Sequence, residues 1–130
     1  MTGETSSKKP LAFIIEDEQE QAEIFSRALQ MAEFETEVIR NGNAALERLA
    51  AAVPTLVVLD LHLPYVSGAD ILQSIRADAR LADTRVILAT ADPQMAEMLQ
   101  EKSDLVLIKP VSFYQLRDLA ARLRPSDTVG

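Results

Sequence analysis

The sequence predicts an α/β domain in which a five-stranded parallel sheet is covered by helices on both faces. Two observations carry that expectation. Short apolar runs such as Leu11–Ile15, Leu56–Leu59, Val86–Ala89 and Leu105–Ile108 contain almost nothing polar, as strands buried on both faces do. Between them lie segments whose apolar residues recur at helical spacing, so strands and helices alternate along the whole chain.

Met1 to Pro10 is small, polar and charged, and is expected to be a mobile tail over residues 1–10. Leu11-Ala12-Phe13-Ile14-Ile15 is the first strand, and it runs into Glu16-Asp17-Glu18-Gln19-Glu20. The helix that follows places Ala22, Phe25, Ala28, Leu29 and Ala32 on one side. Glu18 and Glu20 read as capping residues, because carboxylates suit the positive end of a helix. Glu16 and Asp17 lie on the strand end itself, and capping accounts for them less well. Phe34 to Arg40 alternates, with Phe34, Thr36 and Val38 set against Glu35 and Glu37, as in a half-exposed edge strand. Asn41-Gly42-Asn43 turns the chain into a helix with Leu46, Leu49 and Ala50 inward, and Pro54 closes it.

Thr55 to Pro64 is the stretch around which the rest is arranged. Its apolar strand opens into a loop at Asp60, with Leu63-Pro64 and Gly68 beyond. Ile71, Leu72 and Ile75 mark the next helix, and Ala77 to Thr84 is a polar connection. Arg85–Thr90 is a strand that ends in a hydroxyl. Asp92 reads as an N-cap before Pro93, opening a helix to about Lys102 that carries Met95, Met98 and Leu99. Leu105–Ile108 ends in Lys109-Pro110, and the last helix buries Phe113, Leu116, Ala120 and Leu123. The folded domain thus spans residues 11–124, and residues 125–130 fray as a C-terminal tail.

Right-handed crossovers at this size favour a flavodoxin-like sandwich with strand order 2-1-3-4-5. In such sheets ligands bind outside the carboxyl ends of the strands. That edge collects Glu16, Asp17, Asp60, Thr90 and Lys109. Three carboxylates in one pocket repel unless a cation neutralises them, and a hard ion with an incomplete oxygen cage suits Mg²⁺. An ionised Asp60 can then attack a phosphorus to give an acyl phosphate. Lys109 can pair with the phosphoryl oxygens, and Thr90 can donate a hydrogen bond to one of them.

Composition bounds the alternatives. The 130 residues contain no cysteine, which excludes disulfides and thiolate metal sites and suggests an intracellular, cytoplasmic home. A formal net charge of −7 disfavours nucleic-acid binding through this domain. No apolar run is long enough to span a bilayer. An aspartate-nucleophile phosphatase would need a second acid two residues after Asp60, where His62 stands. A flavin- or nucleotide-binding module would need a phosphate-cradling loop where Glu16 to Glu20 would repel it.

The acidic pair Glu16-Asp17, Asp60 with Leu63-Pro64 and Gly68, Thr90-Ala91, and Lys109-Pro110 together resemble a response-regulator receiver domain of two-component phosphorelays. The resemblance runs from about Leu11 to Leu123. It implies that Asp60 is the phosphoacceptor, and that Asp17 and Asp60 bind Mg²⁺ directly while Glu16 does so through water. The His62 backbone carbonyl would be the remaining protein ligand, Thr90 the switch hydroxyl and Lys109 the phosphate partner. The implied donor is a sensor histidine kinase or histidine phosphotransfer protein, and the output is contact with a downstream protein. Such a domain is no enzyme beyond assisting its own phosphorylation and dephosphorylation. The alternative is a receiver-like interaction module that signals without phosphorylation.

The His62 side chain, the only imidazole in the chain, reads as an exposed loop group with no direct chemistry. Two departures from the family pattern stand out. Val106 occupies the position, three before the lysine, that usually holds an aromatic. The span from Thr90 to Lys109 is short and lacks the usual glycine before the fifth strand. Both bear on the output face formed by the fourth helix, fifth strand and fifth helix. After Leu123 only Arg124 to Gly130 remain, so the chain is read as a stand-alone receiver or as a domain cut from a longer protein.

Overall fold

A computed structural model describes residues 8–125. Most of the two expected tails, residues 1–7 and 126–130, lies outside the described residues. The elements in order are β1 (Leu11–Ile15), α1 (Gln19–Met31), β2 (Glu35–Ile39), α2 (Gly42–Ala51), β3 (Leu56–Asp60) and α3 (Gly68–Ala77). They continue with β4 (Arg85–Thr90), α4 (Pro93–Leu99), β5 (Leu105–Ile108) and α5 (Phe113–Leu123). The strands form one sheet, every neighbouring pair parallel, in the expected order β2-β1-β3-β4-β5.

Between its ends each central strand is apolar because its two faces feed two separate cores. Ala12, Ile14, Leu56, Val58, Ile87 and Ala89 pack with Phe25 and Leu29 of α1 and Leu116 and Ala120 of α5. Phe13, Ile15, Val57, Leu59, Val86 and Leu88 pack with Leu49 of α2 and Ile71, Leu72 and Ile75 of α3. Burying a side chain of this kind contributes about 1.5–3 kcal/mol relative to leaving it in water.

The structure corrects four expectations. First, β2 does not divide into an inward face of Phe34, Thr36 and Val38. Phe34 is buried just before the strand, Val38 is exposed and Ile39 is buried, because an edge strand in a two-sided sheet is covered unevenly on both faces. Second, Leu49 and Ala45 of α2 are buried and Leu46 packs partly against the same core, but Ala50, expected inward, faces outward. Third, Gly42 does not turn the chain: Asn41 caps α2 through Ala44 N–H at 2.8 Å, and Gly42 is its first helical residue, with no positive φ. A Cβ on Gly42 would lie 2.6 Å from Val66 Cβ, so close approach of the β3–α3 loop explains the glycine.

Fourth, α4 ends at Leu99, a short 3-10 turn covers Gln100–Lys102, and none of the α4 residues is fully buried. Met98 stays 73% exposed, although Met95 and Leu99 pack partly against the core. The strand after this short helix is moored at Asp104. Its carboxylate accepts Val86 N–H at 2.7 Å and pairs with both Arg76 and Arg85.

Candidate functional site

The site sits where β1, β3, β4 and β5 end. The residue beyond each ladder is pinned by one more backbone bond: Glu16 N–H to Ile39 O at 3.0 Å, Leu61 N–H to Ala89 O at 3.1 Å, and Lys109 N–H to Thr90 O at 2.8 Å. These bonds carry the rigidity of the sheet into the pocket. Gly68 closes α3 onto the same edge, since a Cβ there would stand 2.5 Å from the Asp60 carbonyl oxygen and 2.6 Å from Leu61 Cα.

Glu16 and Asp60 are buried, at 1% and 2% exposure, while Asp17 is open to solvent. Each of the three offers a carboxylate oxygen within 4.8 Å of the other two. Lys109 Nζ lies 3.3 Å from Asp60 Oδ1 and 3.4 Å from Glu16 Oε1. Backbone donors add to this: His62 N–H reaches Asp60 Oδ1 at 3.1 Å, and Glu18 N–H reaches Glu16 Oε2 at 3.2 Å. The second of these revises the expected role of Glu18. It occupies the N-cap position of α1, but its side chain makes no capping hydrogen bond.

Burial pushes the Glu16 carboxyl up to about 7, and the nearby Asp60 charge adds to the effect. Lys109 and the Glu18 N–H pull the other way and do not cancel it. Burial alone would lower Lys109, yet Asp60 and Glu16 together outweigh it and hold the ammonium above its ordinary range. Lys109 therefore does not offset the burial of Glu16 and the charge of Asp60 beside it. The donor set fits a hard divalent cation: oxygen ligands only, on two strand-end residues and one exposed loop residue.

The sequence-based site residues do gather here, but Thr90 is engaged in an unexpected way. Its fully buried hydroxyl accepts Asp92 N–H at 3.0 Å and lies 3.1 Å from His62 Nε2. Asp92 caps α4 as expected, accepting Gln94 N–H at 2.9 Å. No partner for the His62 side chain is expected from the sequence. The pairing of β3 with β4 brings His62, two residues past the end of β3, within reach of Thr90 at the end of β4. A role for Arg40 is likewise not marked by its position. Its guanidinium donates twice to the Asp17 carbonyl, at 2.6 and 3.2 Å, tying the acidic loop to the end of β2.

Among solved structures, the chemotaxis response regulator CheY4 of Vibrio cholerae superposes with a TM-score of 0.81 at 19% identity, over 89% of this chain and 99% of that one. The signal receiver domain of a histidine kinase from Syntrophus aciditrophicus gives a TM-score of 0.78 at 28% identity, over 88% and 89%. The fold is thus that of CheY-like receivers. The family described as "Response regulator receiver domain" matches residues 12–121, and the chain belongs to it. The chain is 30% identical to the DNA-binding response regulator MtrA of Mycolicibacterium paratuberculosis, over 85% of its own length and 48% of that protein's. It is 32% identical to the sensory transduction protein RegX3 of Mycobacterium tuberculosis, again over 85% and 48%. The chain therefore spans about half the length of these curated relatives. Among the described residues no helix is long and apolar enough to cross a membrane.

Proposed function

We propose that this receiver domain accepts a phosphoryl group on Asp60 in a Mg²⁺-dependent reaction. The observation that carries the reading is the buried Asp60 carboxylate, 3.3 Å from Lys109 Nζ and grouped with Glu16 and Asp17. Asp17 and Asp60 would hold the ion directly, Glu16 through water, and the His62 backbone carbonyl would complete the protein ligands. When bound, the cation supplies charge neutralisation, which keeps the carboxylates ionised and offsets the charge of the incoming phosphoryl oxygens.

The chain's own residues do the rest. A carboxylate oxygen of Asp60 forms the new O–P bond while the donor's bond to phosphorus breaks and its leaving group departs with the electron pair. Lys109, kept fully charged by its two carboxylates, then has a phosphoryl oxygen to pair with. Thr90, on the neighbouring strand, donates its hydroxyl proton to another. The phosphoryl donor is a histidine kinase or histidine phosphotransfer protein, and the output is protein contact, with Val106 in place of an aromatic making that output atypical.

Incubation with Mg²⁺ and a small acyl phosphate, followed by intact-mass measurement, tests the reading. One phosphoryl adduct that disappears when a chelator replaces Mg²⁺ is the expected result. An unmodified protein under both conditions contradicts the proposal and leaves a receiver-like interaction module.

A further inference from the structure

The Thr90 hydroxyl is fully buried, and a buried hydroxyl needs an acceptor for its proton as well as a donor for its oxygen. Among the described residues its partners are Asp92 N–H, which can only donate, and His62 Nε2. The proton therefore has one acceptor within reach, the imidazole. A neutral imidazole accepts at one nitrogen and donates at the other, so accepting at Nε2 puts its own proton on Nδ1. His62 is exposed, and water can satisfy that second nitrogen.

We propose that His62 is a positioning residue that latches Thr90 before phosphorylation, by accepting the hydroxyl proton that the phosphoryl group must take over. This rests on the reading of Asp60 as phosphoacceptor. In the resting protein Thr90 Oγ1–H donates to His62 Nε2. When the phosphoryl group arrives, the same proton turns to a phosphoryl oxygen, and the imidazole exchanges its lost partner for water. The resting state is thereby stabilised by about one neutral hydrogen bond, and the phosphorylated state does not keep it. His62 sits two residues past Asp60 with its backbone N–H already on Asp60 Oδ1. The loop that carries the phosphoacceptor therefore also holds the switch hydroxyl back. Without that side chain the hydroxyl has no acceptor until a phosphoryl oxygen supplies one, so occupation of the site becomes easier.

The test uses beryllofluoride with Mg²⁺ as a tetrahedral phosphoryl mimic. Binding is followed by the amide resonances of the loop after Thr90, since the chain has no tryptophan to report by fluorescence. His62→Leu removes the acceptor and should tighten binding by about twofold to tenfold, the value of one net hydrogen bond. His62→Gln keeps an acceptor oxygen and should stay near the wild-type affinity. In a Thr90→Val background, His62→Leu should change nothing, because the hydroxyl it acts through is gone. The single imidazole also allows a direct reading: its ring nitrogens should show the Nδ1–H tautomer in the free protein and lose the Nε2 hydrogen bond once the mimic binds.

Unchanged or weaker binding by His62→Leu overturns the latch. So does an equal gain in the Thr90→Val background, or an Nε2–H tautomer in the free protein. If the wild type itself fails to bind the mimic, the phosphoacceptor reading falls and the latch falls with it. That outcome is distinct from normal wild-type binding with indifferent His62 variants.

Discussion

Glu16 shows best how little freedom the pocket leaves its residues. Its backbone is fixed by β2, its carboxylate faces Asp60 and Lys109, and burial raises its affinity for a proton until it titrates at about 7 instead of 4.5. The folded protein thus binds a proton between those values that the unfolded chain releases. Stability from this group is complete below pH 4.5 and is lost as pH rises through about 7. The loss is on the order of 3 kcal/mol. Without divalent cation, thermal melts should therefore show stability falling across this window, and Glu16→Gln should flatten the slope. On the proposed reading Mg²⁺ binds only the folded state and competes with that proton, so its stabilising effect should be larger at pH 8 than at pH 6. A melting temperature indifferent to millimolar Mg²⁺ at both pH values would count against the site. At this scale the sequence is informative about identity and poor about partners. Apolar strands ending in Glu16, Asp60, Thr90 and Lys109 can be read directly. The bond from Thr90 to His62 is tertiary and involves a loop side chain that no periodicity marks.

Among the elements, the β3–α3 connection and α4 stand at opposite extremes. Gly68 lets α3 begin against the backbone of Asp60 and Leu61, neither of which can yield as a flexible side chain could. Gly68→Ala should therefore destabilise by about 1–3 kcal/mol, as overpacking does, and should also weaken Mg²⁺ binding by shifting Asp60. Chemical denaturation with and without Mg²⁺ would check both effects. α4, by contrast, buries no residue completely, while the β5 that follows it is moored through Asp104. Val106 has no ring to rotate, and its β-branched side chain is stiff about χ1. A phosphoryl mimic should therefore change amide exchange across Ala91 to Lys102 far more than across Leu105 to Leu107. Comparable changes in both segments would show that the signal crosses β5 without an aromatic. The limits of α4 cannot be read from the sequence, because Met95, Met98 and Leu99 keep helical spacing whether or not a core receives them. The central strands are legible for the opposite reason: burial on both faces removes every polar residue between their ends.

For the whole molecule, topology follows from simple constraints. Strands apolar on both faces require helices above and below, and right-handed crossovers in a five-stranded parallel sheet leave few orders, of which 2-1-3-4-5 is the one found. That order makes β1 and β3 neighbours and sets Glu16 and Asp17 beside Asp60, so fold and site are a single consequence of the same winding. The uneven burial of edge strand β2 is not legible, since alternation along an edge does not say which neighbours cover it. On the proposed function, Asp60 is the one residue of this arrangement that takes the phosphoryl group. Wild type and Asp60→Asn should be treated side by side with Mg²⁺ and an acyl phosphate, weighed intact, and melted to confirm that both are folded. The substitution is nearly isosteric and removes one crowded charge, so the variant should melt no lower than the wild type. One phosphoryl adduct is expected on the wild type and none on the folded variant; an adduct of equal yield on Asp60→Asn would rule Asp60 out as the acceptor.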